Sequence, residues 1–208
     1  MEQVFDAEEV RGVLHTPEHP TGDALALTHG AGSNASAPLL VSLSRAFCEA
    51  GLVVLRYDLP FRVAGVGPTS PAVQARDREG VARAVQALRQ RVKGHVFAGG
   101  HSYGGRQTAM IAAERPGAAD GLLLLSYPLH PPKKPEQPRT GFFPEWRTPA
   151  LFVHGTRDPF GTIEELRGAM ERIPARVELL AVEGAGHDLK PAARMGGEIL
   201  DTMVRMLL

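Results

Sequence analysis

The sequence predicts an α/β fold in which a mostly parallel sheet is covered by helices on both faces. Strand-length segments such as Ala24–Thr28 and Gly121–Ser126 are apolar almost throughout, which is typical of strands buried on both faces. Segments with apolar residues at helical spacing lie between them, and this alternation favours a parallel sheet. The 208 residues are 43% hydrophobic and show no sharp shift in composition, so a single domain over residues 1–208 is expected.

Short apolar runs bounded by turn residues predict the strands of this sheet. In chain order, they are Val10–Leu14, Ala24–Thr28, Leu52–Tyr57, His95–Gly99, Gly121–Ser126, Ala150–His154 and Val177–Val182. Two stretches rich in proline or glycine, Asp58–Ser70 and Tyr127–Pro149, are predicted as loops.

Caps, helix breakers and apolar spacing predict the helices. Ser36 is expected to cap the first helix, which Gly51 ends, and Pro71 opens the second. A third helix follows the turn at residues 100–104. Two more helices are predicted over Thr162–Arg172 and Pro191–Leu207, where apolar residues recur along one face.

The most informative motif is Gly100-His101-Ser102-Tyr103-Gly104, which joins the strand at His95–Gly99 to the third helix. A serine at such a sharp turn is held in a strained conformation that exposes its hydroxyl, and the flanking glycines let strand and helix approach closely. Taken alone, Ser102 could be an ordinary turn residue. Its position between a buried strand and a helix favours a nucleophile.

A serine nucleophile needs a base within hydrogen-bond reach and a third group that orients the base. His187 follows the strand Val177–Val182 in a loop of small residues, at the carboxyl edge where such sheets bind ligands. Asp158 holds the equivalent place after Ala150–His154, although a role as a helix cap is an alternative. Asp188 competes for the acid role, but its position next to the base favours capping of the final helix.

The oxyanion of an acyl-transfer intermediate needs two aimed donors. The N–H of Tyr103, directly after the nucleophile, is the predicted first donor. The loop after Ala24–Thr28 is the predicted source of the second, and Ala31 is chosen with Gly30 or Gly32 as alternatives. These glycines could also serve only a tight strand-to-helix connection.

Other polar residues near strand ends are interpreted as structural. His29, His101 and His154 lack the spacing of metal ligands, so packing or hydrogen bonding is expected and a metal is not. Arg106 could anchor a substrate, but the favoured interpretation is that it braces loops, and Arg56 carries the same ambiguity.

The chain resembles the small, cap-less group of α/β-hydrolases related to dienelactone hydrolase. Four segments carry the resemblance: His29-Gly30-Ala31-Gly32, Gly100-His101-Ser102-Tyr103-Gly104-Gly105, His154-Gly155-Thr156-Arg157-Asp158 and Gly186-His187-Asp188. The resemblance implies an α/β-hydrolase fold with Ser102, Asp158 and His187 as the catalytic triad, in the chain order expected of this fold. Dienelactone hydrolases themselves carry a cysteine where this chain has Ser102, which favours serine-esterase chemistry instead.

Cap domains in this superfamily usually enter after the strand equivalent to Gly121–Ser126. Only Tyr127–Pro149 is available there, and its prolines leave no room for several packed helices. No cap domain is therefore expected, and the site should be open. Phe142, Phe143 and Trp146 are predicted to wall an acyl pocket, with cover for the sheet edge as the alternative.

Charge balance and the distribution of apolar residues limit the kinds of partner that are expected. The 23 basic and 23 acidic residues balance, so no nucleic-acid partner is expected. The acidic N-terminus and the lack of long apolar runs predict no membrane association and a cytoplasmic location. The single cysteine, Cys48, is expected to be a buried, inert thiol.

The resulting hypothesis is a serine hydrolase that cleaves a carboxylic ester or thioester of a small substrate through an acyl-enzyme on Ser102, with no cofactor. The alternatives are a non-catalytic binding or scaffold protein of the same fold and a perhydrolase that uses the same triad. The acyl group and the oligomeric state are not predicted.

Overall fold

The computed structural model describes residues 1–7 and 9–207, and its centre is an eight-stranded sheet in the order β1-β2-β4-β3-β5-β6-β7-β8. The strands are β1 (Glu2–Ala7), β2 (Val10–His15), β3 (Ala24–Thr28), β4 (Val53–Asp58), β5 (Val96–His101), β6 (Leu122–Leu125), β7 (Ala150–Gly155) and β8 (Val177–Val182). All pairings from β4 to β8 are parallel, whereas β1 pairs with β2 and β2 with β4 in antiparallel register. The predicted mostly parallel sheet is confirmed.

Helices cover both faces of this sheet, as predicted. They are α1 (Pro38–Glu49), α2 (Pro60–Val63), α3 (Pro71–Arg89), α4 (Tyr103–Glu114), α5 (Ile163–Met170) and α6 (Gly196–Leu207), and single 3₁₀ turns lie at Phe143–Glu145 and Lys190–Arg194. Apolar residues of α3, α4 and α5 form one buried cluster with one face of the sheet. Those of α1 and α6 form a second cluster on the other face. No cap domain is present in the part of the chain that the structure describes, and no helix there is long and apolar enough to cross a bilayer.

The N-terminal strand β1 was not predicted. Only Phe5 of its six residues is buried, so its sequence lacks the pattern of a half-buried strand. Its conformation comes from the antiparallel ladder to β2, which runs from the pair Glu2 and His15 to the pair Ala7 and Val10. A partner strand, rather than the local sequence, supplies this element.

Several helix boundaries differ from the predictions. The N-cap of α1 is Ala37 and not Ser36, because the Asn34 side chain accepts from the Ser36 N–H (2.8 Å) and fixes the preceding turn. The loop predicted over Asp58–Ser70 contains α2, which Pro60 opens. The closing helix begins only at Gly196, since residues 190–194 form a 3₁₀ turn.

Candidate active site

Ser102 lies at a sharp turn between β5 and α4 with φ of 50° and ψ of −115°, a backbone conformation that residues other than glycine rarely adopt. Glycines make this turn possible. A Cβ on Gly100 would lie 2.7 Å from backbone atoms of Gly104 and Gly105, and one on Gly104 would overlap the carbonyl oxygen of His29. The strained turn therefore holds the hydroxyl of Ser102 at the carboxyl edge of the sheet.

Three side chains that are far apart in sequence meet above this edge. The Ser102 Oγ lies 2.8 Å from His187 Nε2, and His187 Nδ1 lies 2.8 and 3.0 Å from the two carboxylate oxygens of Asp158. Ser102 follows β5, Asp158 follows β7 and His187 follows β8. With Nδ1–H donating to Asp158, the Nε2 of His187 accepts the hydroxyl proton of Ser102.

Asp158 is buried and engaged as a hydrogen-bond acceptor. Burial alone would raise its pKa, but the hydrogen bond from His187 and the N–H of Phe160 (2.9 Å) hold the pKa below its usual value. The alternative role as a helix cap is wrong, because Thr162 caps α5 in a reciprocal capping box with Glu165. Asp158 is thus a carboxylate that faces His187 at neutral pH.

The imidazole of His187 is positioned by two residues that the sequence analysis did not assign to it. The Phe160 ring stacks on it with centroids 4.1 Å apart, and His101 Nε2 lies 2.7 Å from the His187 carbonyl oxygen. Phe160 follows the acid by two residues and His101 precedes Ser102, so proximity in sequence was the available signal. Asp188 does not take part; its carboxylate pairs with Lys190 (2.9 Å) and precedes the 3₁₀ turn rather than α6.

The predicted oxyanion donors also lie next to Ser102. The N–H of Tyr103 is the first of α4, and the first N–H groups of a helix have no intrahelical acceptor. Ala31 lines the same cavity with Gly30 and Gly32, and its carbonyl oxygen accepts from Arg62 (3.1 Å). Which of residues 30–32 donates to a bound oxyanion stays a prediction.

Hydrogen bonds connect both predicted donor segments, at Tyr103 and at residues 29–32, to the segment around α2. The Tyr103 hydroxyl donates to the buried carboxylate of Asp77 (2.6 Å), which also accepts from the N–H of Phe61 (2.9 Å). His29 accepts from the N–H of Leu59 (3.1 Å) and donates from its other nitrogen to the Gly30 carbonyl (2.8 Å). The two sides of the oxyanion site therefore share one support.

The remaining histidine near the triad, His154, has a structural role. Its Nε2 lies 2.9 Å from the Gly161 carbonyl and its ring is fully buried, so burial lowers its pKa and keeps the ring neutral. It lies 3.8 Å from the Asp158 carboxylate without taking the place of His187. Arg56 is structural as well, since it donates to His15 (2.9 Å) and to the Ala35 carbonyl (2.8 Å).

A cavity of about 680 Å³ opens over Ser102, but the predicted aromatic wall is not part of it. Phe143 and Trp146 have no exposed surface, and both pack against Phe152 or Tyr127 in the core. Phe142 is half-buried and stacks on Trp146, and it is not among the residues that line the cavity. The prediction that these three wall an acyl pocket is wrong. The residues that do line the cavity include Pro68, Gln74, Arg106, Pro128, Arg139 and Phe160.

Comparisons with known proteins agree with this architecture. A model of the alpha/beta hydrolase domain family matches residues 21–207. Est1E from Butyrivibrio proteoclasticus is similar over 99% of this chain and 98% of its own, with 15% identity and a TM-score of 0.76. A dienelactone hydrolase from Anabaena variabilis (22% identity, 100% and 99% covered, TM-score 0.75) is similar too. An α/β serine hydrolase without a lid from Xanthomonas campestris is also similar, with 17% identity, 100% of this chain and 94% of its own covered, and a TM-score of 0.71. At these identities the solved structures show a shared fold.

Proposed function

The chain belongs to the alpha/beta hydrolase domain family, and from that premise we propose that it is a serine hydrolase which cleaves a carboxylic ester or thioester of a small substrate. The observation that carries the proposal is the contact of Ser102 with His187 and of His187 with Asp158, both at 2.8 Å. A serine hydroxyl is a weak acid, and this relay is the arrangement that activates it.

In the first half of the reaction, Ser102 Oγ bonds to the acyl carbon while its proton passes to His187 Nε2. Asp158 stabilises the imidazolium that forms. The tetrahedral intermediate then collapses: the bond to the leaving oxygen or sulfur breaks, and the leaving group takes the proton from His187. The acyl group remains as an ester of Ser102.

In the second half, a water molecule gives a proton to His187 and its oxygen bonds to the acyl carbon. The bond to Ser102 Oγ breaks, the proton returns to that oxygen, and the carboxylic acid leaves. In both halves, the N–H groups of Tyr103 and Ala31 stabilise the oxyanion. Loss of one such donor typically lowers kcat by about 10²- to 10³-fold.

The test uses a Ser102→Ala variant with Ser36→Ala as its control, because Ser36 is exposed and its side chain makes no hydrogen bond to any described residue. Both variants and the parent are assayed with activated short-chain esters and thioesters, and with a fluorophosphonate probe that labels reactive serines. We expect hydrolysis and labelling in the parent and in Ser36→Ala, and neither in Ser102→Ala. Equal hydrolysis by Ser102→Ala would refute the proposal, and a parent that neither labels nor turns over would indicate a non-catalytic protein.

A further inference from the structure

Two arginine side chains line the cavity that contains Ser102 and His187. Arg106 lies one turn along α4, where its N–H donates to the Ser102 carbonyl (2.9 Å). Arg139 belongs to the segment between β6 and β7, and its N–H donates to the Leu129 carbonyl (2.7 Å). Both are half-buried. Two positive charges from separate elements therefore converge beside the nucleophile.

Neither guanidinium group has an acidic partner in the part of the chain that the structure describes. Among residues 1–7 and 9–207, no ion pair or hydrogen bond involves either guanidinium group, and the Nε of Arg106 is buried without an acceptor. Arg139 accepts from the Tyr127 hydroxyl (2.8 Å), but through its backbone carbonyl. This does not support the sequence-based interpretation of Arg106 as a loop brace. By contrast, two arginines of α3 are paired: Arg78 with Glu114 and Arg89 with Asp120.

The nearest described carboxylates lie behind the cavity wall and are already engaged, with Asp158 bound to His187. The described residues that line the cavity include no aspartate or glutamate. Asp77, on the neighbouring helix α3, is occupied by the Tyr103 hydroxyl and the N–H of Phe61. Burial lowers the pKa of Arg139, and the positive charge of Arg106 lowers it further. Two like charges in a partly buried cavity are unfavourable unless an anion neutralises them.

We propose that the substrate carries a carboxylate or phosphate group, which Arg106 and Arg139 bind while Ser102 attacks the ester or thioester carbonyl. A guanidinium presents a planar set of N–H donors that matches the oxygens of either anion, and such charge-assisted hydrogen bonds are stronger than neutral ones. This inference rests on the proposed serine hydrolase function and names its substrate class.

The test compares matched esters that differ only in charge. In the first pair, the charge lies on the acyl part. The mono-nitrophenyl ester of adipic acid, which has a free carboxylate, is compared with the same ester after methylation of that carboxylate. In a second pair, the alcohol part is hydroxybenzoate or its methyl ester, each acetylated. Phosphonate versions of both pairs separate carboxylate from phosphate preference. The measured quantity is the ratio of kcat/KM for the anionic ester to kcat/KM for the neutral ester.

We expect the parent to prefer the anionic member of at least one pair by about tenfold or more. Arg106→Met and Arg139→Met keep an unbranched stem but remove the charged guanidinium group, and each should lower that ratio by about ten- to a hundredfold. Arg167→Met is the matched control, since Arg167 is exposed on α5 away from the cavity. That control should leave the ratio unchanged.

A second readout does not require turnover. Inorganic phosphate or adipate should slow fluorophosphonate labelling of Ser102 in the parent and in Arg167→Met, but less in Arg106→Met. Labelling and hydrolysis with equal kcat/KM for charged and neutral esters would overturn this inference alone. Absence of both labelling and hydrolysis would overturn the proposed function and this inference with it.

Discussion

Replacing Gly104 with alanine would place a methyl group between α4 and the end of β3. The new Cβ would lie 2.8 Å from Thr28 Cγ2 and closer still to the backbone carbonyl of His29, whereas real Cβ contacts essentially never fall under 3.0 Å. A backbone carbonyl at the end of a central strand cannot rotate away as a side chain can. The helix and the loop at residues 29–32 must therefore separate, by roughly half an ångström.

That separation acts on the two proposed oxyanion donors, because Tyr103 moves with α4 and Ala31 moves with the loop. Misalignment equivalent to the loss of one donor would lower kcat for a short-chain ester by about 10²-fold. Forced overpacking of this kind costs about 1–3 kcal/mol of unfolding free energy, which urea denaturation measures. Enough folded protein should remain for kinetics at moderate temperature.

Gly168→Ala is the matched control for this prediction. Gly168 also lies in a helix, α5, but a Cβ there meets nothing within 4 Å. This variant should keep the kcat of the parent and gain about 0.5–1 kcal/mol of unfolding free energy from the better helix propensity of alanine. If folded Gly104→Ala hydrolysed the ester as fast as Gly168→Ala, the close contact at His29 would not be what sets the donor geometry.

Three further predictions concern the acid, the pH response and the aromatic segment. Asp158→Asn should lower kcat by about 10⁴-fold, because an amide no longer fixes the tautomer of His187; equal kcat in a folded variant would exclude Asp158 as the orienting group. Burial and the charge of Arg56 lower the pKa of His15 to about 4. Since the unfolded chain binds this proton near pH 6.5, the stability that neutral His15 contributes is complete at pH 7 and is lost between pH 6.5 and 4. His15→Gln, which keeps an acceptor for Arg56, should lose about 2 kcal/mol less than the parent between pH 7 and 4.5 in urea titrations, and an equal loss would contradict the low pKa. Phe143→Ala should cost about 3–5 kcal/mol of stability and leave KM for small esters unchanged, whereas a raised KM in the folded variant would return Phe143 to the cavity.

The sequence predicts the parallel sheet and the meeting of Ser102, Asp158 and His187 because both follow from local patterns. Continuous apolar strands specify a sheet buried on both faces. Polar residues directly after such strands share the carboxyl edge, so their positions along three strands limit where their side chains can be. The strand order and the register then bring the atoms within hydrogen-bond distance, and those depend on tertiary pairing.

The positions of Phe143 and Trp146 could not be derived in the same way. An aromatic residue in a proline-rich loop can face a cavity or the core with equal local propensity. The outcome depends on two aromatic partners in the core. The ring of Tyr127 lies 5.7 Å from that of Phe143, and the ring of Phe152 lies 5.8 Å from that of Trp146, measured between centroids. Tyr127 begins the loop, two residues after β6, and Phe152 lies in β7, so the pairing exists only once β6 and β7 are in place.

Burial of those aromatic rings leaves substrate binding to other residues of the cavity. With Phe143 and Trp146 in the core, the described cavity wall has Phe160, which stacks on His187, and Tyr103, whose hydroxyl donates to Asp77. Arg106 and Arg139 add hydrogen bonds and positive charge for an anionic group to the apolar contacts that this wall offers. Because such charges are screened by salt at an open site, the preference for anionic esters should weaken as ionic strength rises, whereas hydrolysis of neutral esters should respond little.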